Sequence, residues 1–320
     1  MKKEHKDRAF EFEHVPCALC GSEEERQLYE VPTTVYGRKE RIWYVKCVGC
    51  GLVRMNPRLP AEVLLALYSE LRVCDFDAGG GAAESCYSTA QEPRRRLVEK
   101  YCRGGRLLDV GSGDGQFLHT MKKAGWEVEG IEIVESQAAY QREKLGLTVQ
   151  TGTIETAEFQ GRVFDVITLW ALLEHVPDPL SVLRHAAESL SPDGTIIVSV
   201  PNIGSLEAFL FRRRWFGLCP PFHLFMFEPK TMKNISVRAG LSVERIIYAS
   251  TATTLMKTVK NIKHGNYTFL PPIHAPDSGS ESSPIKSVLK QLVFQMAVVP
   301  ALKMIDVLHL GAGTIYILRK

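Results

Sequence analysis

The residues with the clearest chemical potential lie in one short stretch, in which an aspartate precedes three alternating glycines. The stretch runs from Leu107 to Gly115 as LLDVGSGDG and continues directly into a helical pattern. Glycines at this spacing let the backbone turn tightly and approach a ligand closely. A strand, a glycine-rich turn and a helix N-terminus together offer backbone N–H groups to a nucleotide. The stretch therefore predicts a site for a nucleotide-type cofactor.

The glycine spacing also separates two kinds of cofactor. A dinucleotide site has a further glycine at the position where this chain has Gln116. The chain instead places Asp109 at the end of an apolar strand, and a carboxylate there suits a cofactor that carries an ammonium group rather than a pyrophosphate. The pattern favours S-adenosylmethionine (SAM), and an NAD-dependent oxidoreductase is the least favoured class of protein.

A second carboxylate follows near the end of the next predicted strand. Glu132 lies in the apolar stretch 126–133, at the distance where α/β nucleotide folds place the acid that binds ribose hydroxyls. A carboxylate can accept hydrogen bonds from both hydroxyls at once. Glu129 is the alternative acid, but it lies inside the strand. We therefore expect Glu132 to bind the ribose.

Together with later motifs, these stretches make the chain resemble the class I SAM-dependent methyltransferases, in particular those of quinone biosynthesis and those acting on sugars and natural products. The motifs are LLDVGSGDG, FDV followed by LEHVPDP, and SPDG followed by PN, and the resemblance covers about residues 95–250. It implies a Rossmann-like α/β fold whose seven-stranded sheet is completed by an antiparallel strand at residues 311–320. It also implies a set of cofactor-binding residues, namely Asp109, Gly111, Gly113, Gly115, Glu132, Thr153, Ile154, Leu169, Trp170 and Tyr87.

Four cysteines form the second strong pattern. Two residues separate Cys17 from Cys20 and Cys47 from Cys50, and a glycine follows each pair. Four thiolates at this spacing suit a tetrahedral zinc ion without an open coordination position. Disulfides or a redox-active pair are the alternatives. We predict a zinc ribbon with a structural zinc and a hairpin between the two pairs. The other cysteines show no such pattern and are expected to be core or loop residues: Cys74, Cys86, Cys102 and Cys219.

Two histidines are candidates for accepting the proton that methylation of a hydroxyl releases. His175 follows the fourth predicted strand of the sheet, where the cleft of such folds opens, and its type suits a general base near neutral pH. His223 ends a PPFH segment that the resemblance places over the acceptor pocket. A packing role is the alternative for each histidine.

Two further segments bear on partners. Residues 206–218 place three consecutive arginines between bulky apolar residues, a pattern that suits a phosphorylated acceptor, an anionic membrane surface or a lid with a solvated basic edge. Residues 285–310 are apolar but interrupted by charges, which predicts helices that cover the core or touch a membrane. Because the net charge is only +3, nucleic acid is not an expected partner.

The predicted organisation has three parts: a zinc ribbon at 1–58, a helical linker at 59–100 and a methyltransferase domain with a C-terminal helical cover at 101–320. Within the last part we expect a substrate lid at about 203–228 and a mobile loop at about 264–284. The N-terminal residues lack the apolar stretch of a secretory signal. We therefore expect a cytoplasmic protein, with peripheral contact at the inner face of the membrane as an additional expectation.

The acceptor is the part of the function that the sequence determines least. The main expectation is methyl transfer to a hydroxyl of a sugar or sugar nucleotide. The first alternative is O-methylation of a polyprenyl or quinone-type lipid at the membrane. The second is a non-catalytic scaffold that binds the cofactor. The sequence does not predict an oligomeric state.

Overall fold

The computed structural model describes residues 10–76, 91–264 and 298–320. Within these ranges the chain forms a seven-stranded and a four-stranded β-sheet, with helices packed against the larger sheet. The predictions for Tyr87, Cys86, the side chain of Cys74 and the mobile loop beyond His264 lie outside the described residues. No helix in the described ranges is long and apolar enough to cross a bilayer.

The strands alternate with helices over most of the chain. The strands are β1 (Glu25–Val35), β2 (Arg38–Cys47), β3 (Val53–Met55), β4 (Arg106–Val110), β5 (Glu127–Glu132), β6 (Thr148–Thr151), β7 (Phe164–Trp170), β8 (Leu190–Pro201), β9 (Phe225–Met226), β10 (Ser242–Ala249) and β11 (Gly313–Arg319). The α-helices are α1 (Ala61–Phe76), α2 (Gln91–Tyr101), α3 (Gln116–Lys123), α4 (Glu135–Leu145), α5 (Pro179–Glu188), α6 (Leu206–Phe211), α7 (Pro229–Arg238), α8 (Ala252–His264) and α9 (Val299–Val307).

The larger sheet has the strand order β10-β11-β8-β7-β4-β5-β6. Strands β4 to β8 run parallel, and β11 runs antiparallel between β8 and β10. This order confirms the predicted Rossmann-like α/β fold and its C-terminal antiparallel strand. Chain order reverses between β4 and β7, and sheets of this kind bind ligands at the carboxyl edge beside the reversal. The ends of β4, β5 and β7 therefore meet where the predicted site residues lie.

Successive residues of each strand point to opposite faces of the larger sheet. Leu107 and Trp170 belong to one buried core, which helices α2, α3 and α4 cover. Their neighbours Leu108 and Leu169 belong to a second core on the other face. This second core continues into the apolar residues of the smaller sheet, so the two sheets share one hydrophobic interior.

The smaller sheet begins with the predicted hairpin and ends with a strand from elsewhere. Strands β1 and β2 meet at a turn in which Tyr36 and Gly37 have positive φ, 49° and 80°. Strand β3 pairs with β2, and β9, which lies in the lid segment 203–228, pairs with β3 through Val53 and Met226. The domain boundaries at 58 and 100 stay a prediction. The ribbon segment nevertheless shares a sheet with the lid.

One stretch differs from the sequence-based expectation. The sequence predicts a helix at about residues 180–190 that ends at 191–194 and a strand that begins at Thr195, whereas β8 already begins at Leu190. Leu190 pairs with Phe164 and Thr195 pairs with Val166, so the residues between them bulge from the ladder. The start of β8 is therefore set by its pairing with β7 and not by the turn propensity of residues 191–194.

Candidate active site

The glycine loop at 111–115 leaves the end of β4 and leads directly into α3. Gly111, Gly113 and Gly115 have φ values of 75°, 60° and 74°. A Cβ on Gly111 would lie 2.8 Å from Cδ1 of Leu172, and a Cβ on Gly115 would lie 2.5 Å from Cγ of Gln141. Only glycine fits these two positions without displacement of a neighbour. The loop thus has the close-packed backbone of a cofactor cradle.

The Glu132 carboxylate holds the glycine loop from the neighbouring strand. Its Oε2 accepts a hydrogen bond from Gly113 N at 2.7 Å, and its Oε1 accepts one from Val134 N at 2.9 Å. The alternative acid, Glu129, accepts a hydrogen bond from Arg162 Nη1 at 2.5 Å, away from the loop. Of the two acids, only Glu132 thus contacts the glycine loop, and its predicted role in ribose binding stays a prediction.

Asp109 ends β4 and is almost fully buried. Its Oδ1 accepts a hydrogen bond from Thr168 Oγ1 at 2.6 Å. Burial raises the pKa of Asp109 to about 7, although the Thr168 hydroxyl and the charge of Arg94 act in the opposite direction. Near neutral pH the carboxyl is therefore only partly ionised until a cation approaches. The ammonium group of a bound cofactor would supply that cation.

Arg94 is a site residue that the sequence analysis missed. It lies on α2, and its guanidinium carbon is 4.9 Å from the centre of the Trp170 ring. Its charge also acts on Asp109. Arg95 on the same helix instead pairs with Glu92 and Glu99 along the helix surface. The helical period of the sequence could have identified Arg94, since it lies on the same helix face as the buried Gln91 and Val98.

Gln141 is a second missed residue. It lies on α4 and is fully buried. Its Oε1 accepts a hydrogen bond from Ser112 Oγ at 2.9 Å, and its Nε2 donates one to the Gly113 carbonyl oxygen at 2.9 Å. Its amide therefore holds the carbonyl group of Gly113, whose N–H group Glu132 holds. The sequence offered no signal for this role, because the buried face of α4 consists of Gln137, Ala138 and Gln141 and is not apolar.

The two candidate histidines are brought together. Their ring centres lie 4.6 Å apart in an edge-to-face arrangement. His223 Nδ1 donates a hydrogen bond to the Gly217 carbonyl oxygen at 2.7 Å, and His175 Nδ1 lies 3.1 Å from the Phe222 carbonyl oxygen. A carbonyl oxygen can only accept, so a proton on each Nδ1 leaves the Nε2 of each ring as a proton acceptor.

Burial shifts the pKa values of His223 and of the nearby Glu174. It lowers the pKa of His223 to about 4, so this imidazole is neutral at physiological pH. It raises the pKa of Glu174 to about 8, so that carboxyl is mostly protonated there. One carboxylate oxygen of Glu174 and one nitrogen of each histidine lie within 4.8 Å of one another. Among the described residues, neither carboxylate oxygen of Glu174 has a hydrogen-bond partner.

Tyr68 on α1 completes this cluster. Its hydroxyl lies 2.5 Å from His175 Nδ1, and its ring centre is 5.0 Å from that of Phe222. The sequence analysis gave Tyr68 no role, and no spacing in the sequence links it to a histidine more than 100 residues away. The cluster of Tyr68, Glu174, His175 and His223 thus contains imidazole nitrogens that can accept a proton.

The remaining predicted cofactor residues lie at different depths. Trp170 packs edge-to-face on Phe117 at 5.5 Å. Thr153 follows β6 and is half-buried, whereas Ile154 belongs to the core. Leu169 has no exposed surface. Alternation along β7 turns the Leu169 side chain to the face opposite Trp170, and its contact with the cofactor stays a prediction.

The four predicted metal ligands cluster as expected. The Sγ atoms of Cys17, Cys20, Cys47 and Cys50 lie within 4.8 Å of one another. The Sγ–Sγ distance is 3.5 Å both for Cys17 with Cys50 and for Cys20 with Cys47. A tetrahedral zinc with Zn–S bonds of about 2.3 Å would separate its sulfurs by about 3.8 Å. The donor set and its spacing therefore fit a structural zinc.

The arginine segment forms a separate surface feature. Arg212, Arg213 and Arg214 are exposed in a 3-10 turn after α6. They line a groove of about 500 Å³ whose other walls come from β1, α6 and α8, through Leu28, Tyr29, Leu210, Phe211 and Ile262. Phe209 and Leu210, just before the arginines, are 69% and 59% exposed. The groove therefore combines positive charge with apolar surface.

Comparison with known proteins agrees with this architecture. A family profile described as a methyltransferase domain matches residues 64–246, more than half of the chain. A solved structure from Thermotoga maritima, described as a SAM-dependent methyltransferase and possible histamine N-methyltransferase, has a TM-score of 0.50 at 16% identity. The alignment covers 80% of this chain and 99% of that one. The two proteins share a fold.

Curated relatives match a shorter region. A ubiquinone biosynthesis O-methyltransferase of Actinobacillus pleuropneumoniae is 36% identical over 117 residues, 33% of this chain and 50% of the relative. The enzyme of the same name from Bordetella avium is 36% identical over 115 residues, 34% of this chain and 47% of the relative. The chain thus spans about half the length of the curated relatives it matches.

Proposed function

The chain belongs to the methyltransferase domain family, and from this premise we propose that it is a SAM-dependent O-methyltransferase whose acceptor is a hydroxyl of a quinone-type or polyprenyl lipid. The observation that carries the proposal is the pairing of a cofactor cradle with a histidine–carboxyl cluster at one edge of the sheet. The names of the curated relatives favour a quinone-type acceptor over the sugar or sugar nucleotide that we expected from sequence.

The cofactor half of the site uses charged groups of both signs. Glu132 would accept hydrogen bonds from the ribose hydroxyls while it holds Gly113 N. Asp109 would lie by the ammonium group, and Arg94 would bind the carboxylate at the other end of the amino acid. Thr153 and Ile154 follow β6 and would meet the adenine. When bound, SAM supplies an electrophilic methyl group on a sulfonium sulfur.

The acceptor half uses the histidines. His175 would take the hydroxyl proton on Nε2, because its Nδ1 is engaged by Tyr68 and by the Phe222 carbonyl oxygen. Burial makes His223 a weak base, so it would orient the acceptor oxygen as a neutral ring. In the fraction of molecules in which Glu174 is ionised, its carboxylate would be close enough to stabilise the imidazolium that forms. These groups would prepare the acceptor oxygen for attack on the methyl carbon.

A lipid acceptor requires access to a membrane surface, and one side of the molecule suits this. Arg212, Arg213 and Arg214 lie beside the exposed Phe209 and Leu210. The end of α9 adjoins α6, since Leu206 N donates a hydrogen bond to the Leu310 carbonyl oxygen at 3.0 Å. In the described part of 285–310, three more apolar side chains are at least 60% exposed, namely Met304, Val307 and Leu308. Such a surface would bind anionic lipid peripherally.

The first experiment asks where a labelled methyl group goes. Purified protein is incubated with methyl-labelled SAM and an extract of its host, and the products are partitioned between organic and aqueous phases. We expect the label in the organic phase. Label in water-soluble anionic species would instead support a sugar nucleotide with its phosphates near the arginines, and transfer to neither phase would contradict the proposed activity.

Variants then separate the base from a bystander. His175→Ala should reduce label transfer at least a hundredfold, as loss of a general base does, without changing the affinity for S-adenosylhomocysteine (SAH). His185→Ala is the matched control, because His185 lies on α5 and its Nδ1 bonds the Ser181 carbonyl oxygen. Full transfer by the His175 variant would remove that residue from the proposed mechanism.

Flotation with lipid vesicles tests the membrane contact. The protein should float with vesicles of anionic phospholipid and not with neutral ones, and replacement of Arg212, Arg213 and Arg214 by alanine should abolish flotation. Replacement of the exposed Lys230 and Lys233 on α7 is the control. Equal flotation of the arginine variant would show that this surface is not the contact.

A further inference from the structure

We call the segment 217–224 the histidine loop. It accepts hydrogen bonds from the smaller, four-stranded sheet, which we call the ribbon sheet. The Tyr44 hydroxyl contacts the carbonyl oxygens of Leu218 and His223, the latter at 3.0 Å. Thr33 Oγ1 donates a hydrogen bond to the Pro220 carbonyl oxygen at 3.3 Å, and Met55 N donates one to the Leu224 carbonyl oxygen at 2.8 Å. Each of β1, β2 and β3 therefore contributes a hydrogen bond to this loop.

The opposite side of the histidine loop fixes both imidazole rings. His223 Nδ1 donates to the Gly217 carbonyl oxygen, and His175 Nδ1 lies beside the Phe222 carbonyl oxygen. The backbone of Leu224 also donates to the Glu174 carbonyl oxygen at 2.7 Å. The carbonyl groups of Gly217 and Phe222 that contact the rings are thus next in sequence to the carbonyl groups of Leu218 and His223 that Tyr44 contacts.

The cysteine cluster lies on the same strands. Tyr44 precedes Cys47 by three residues on β2, a separation of about 10 Å along a strand. Cys47 N donates to the Leu52 carbonyl oxygen at 2.9 Å across the turn that contains Cys50, and Tyr44 pairs with Met55 beyond it. A metal at the four thiolates would fix this turn, and with it the register of β2 against β3.

We infer that the ribbon forms a wall of the acceptor site and that Tyr44 is a positioning residue for His175 and His223. This inference deepens the proposed function and rests on it. Tyr44 is fully buried, so its hydroxyl has no solvent-facing task. The proposed cofactor half is built from α2, β4, β5, β7 and the segments that follow β4 and β6, without a ribbon residue. A change in the ribbon should consequently alter the acceptor half and spare cofactor binding.

The test is Tyr44→Phe, which removes one oxygen and keeps the ring packed. We expect the SAH affinity by calorimetry and the zinc content to stay within about twofold of the parent. The imidazole NMR signals of His175 and His223 should shift, and label transfer to the host extract should fall about tenfold or more, as misplaced catalytic groups do. Tyr101→Phe is the matched control, because the Tyr101 hydroxyl has no hydrogen-bond partner among the described residues.

A second variant and a metal arm keep the test decisive. Thr33→Val removes the hydrogen bond to the Pro220 carbonyl oxygen and should shift the same NMR signals to a smaller extent. This variant replaces Tyr44→Phe in the test if Tyr44→Phe does not fold. Protein stripped of zinc should retain SAH binding but show displaced histidine signals. Unchanged signals and unchanged transfer in folded Tyr44→Phe would overturn the inference. Normal transfer by His175→Ala would instead overturn the proposed base, while shifted signals in Tyr44→Phe would still support the positioning role.

Discussion

At the scale of single residues, burial decides what the charged groups of the site can do. Asp109, Glu174 and His223 are all shielded from water. Burial raises the pKa of the two carboxyl groups and lowers that of the imidazole, so each shift favours the neutral form. Glu132 differs in its contacts, because its carboxylate oxygens accept hydrogen bonds from two backbone N–H groups. Burial thus gives the site several groups whose charge can respond to a ligand.

Glu132→Ala should weaken SAH binding by at least about tenfold, because it leaves Gly113 N and Val134 N without their acceptor and removes the ribose partner. Asp109→Ala should have an effect of similar size through the lost ammonium contact. Isothermal titration calorimetry measures both. Glu129→Ala on the same strand is the control, since its partner is Arg162. Unchanged affinity in the first two variants would contradict the cofactor assignment.

Glu174 makes the stability of the cofactor-free protein depend on pH. Its folded pKa of about 8 lies above the usual carboxyl value. Between these two pKa values the folded state holds a proton that the unfolded state has released, so the free energy of unfolding decreases as pH rises. The melting temperature of Glu174→Gln minus that of the parent should therefore be more positive at pH 9 than at pH 5. Glu188→Gln, an exposed position on α5, should show a profile parallel to the parent. Parallel profiles for both variants would refute this assignment.

At the scale of elements, the glycine loop depends on contacts from three directions. β5 contributes Glu132, α4 contributes Gln141, and the segment after β7 contributes Leu172. These contacts leave the loop no room for side chains at Gly111 and Gly115. Because none of the contacts is local in sequence, the glycines alone indicated the loop but not what braces it.

Gly111→Ala should lower both stability and cofactor affinity. The left-handed backbone alone costs about 1–2 kcal/mol for a non-glycine residue, and the new Cβ would press on Leu172. Gly125→Ala is an informative control, since Gly125 has φ +90° but no atom within 4 Å of the added Cβ. Both variants should melt earlier, and only Gly111→Ala should lose SAH affinity in calorimetry. Equal SAH affinities would show that the loop tolerates the methyl group.

At the scale of the whole molecule, the ribbon and the larger sheet are joined by packing and pairing. Strand β9 completes the ribbon sheet, and the second core contains residues of both sheets. Arg238 on α7 also donates a hydrogen bond to the Leu19 carbonyl oxygen in the first cysteine turn. The ribbon is consequently a structural part of the site that follows β7.

We expect about one zinc per chain in metal analysis, and Cys47→Ser should remove it. Because the two sheets share a core, loss of the metal should lower the melting temperature by about 5 °C or more, or roughly 2 kcal/mol. Cys102→Ser is the control, since Cys102 lies outside the cluster and bonds the Gly104 carbonyl oxygen. A metal-free protein with the parental melting temperature would remove the zinc assignment.

The sequence by itself determined the features that depend on local pattern. The strand–glycine–helix motif indicated the cofactor cradle, the spacing of the acids distinguished Glu132 from Glu129, and paired cysteines predicted their own cluster. Such features could be predicted because glycine conformations, strand alternation and ligand spacing act over a few residues. The same local rules predicted the order of most strands and helices.

Tertiary structure alone decided which distant residues meet. Tyr68 reaches His175, Arg94 reaches Trp170, and the ribbon strands reach the histidine loop across long sequence separations. It also placed Leu169 and Trp170 on opposite faces of the larger sheet, because side chains alternate along a strand. Burial in the assembled core raised the pKa of Asp109 to about 7. Contact and desolvation are properties of the packed chain, and no spacing along the sequence encodes them.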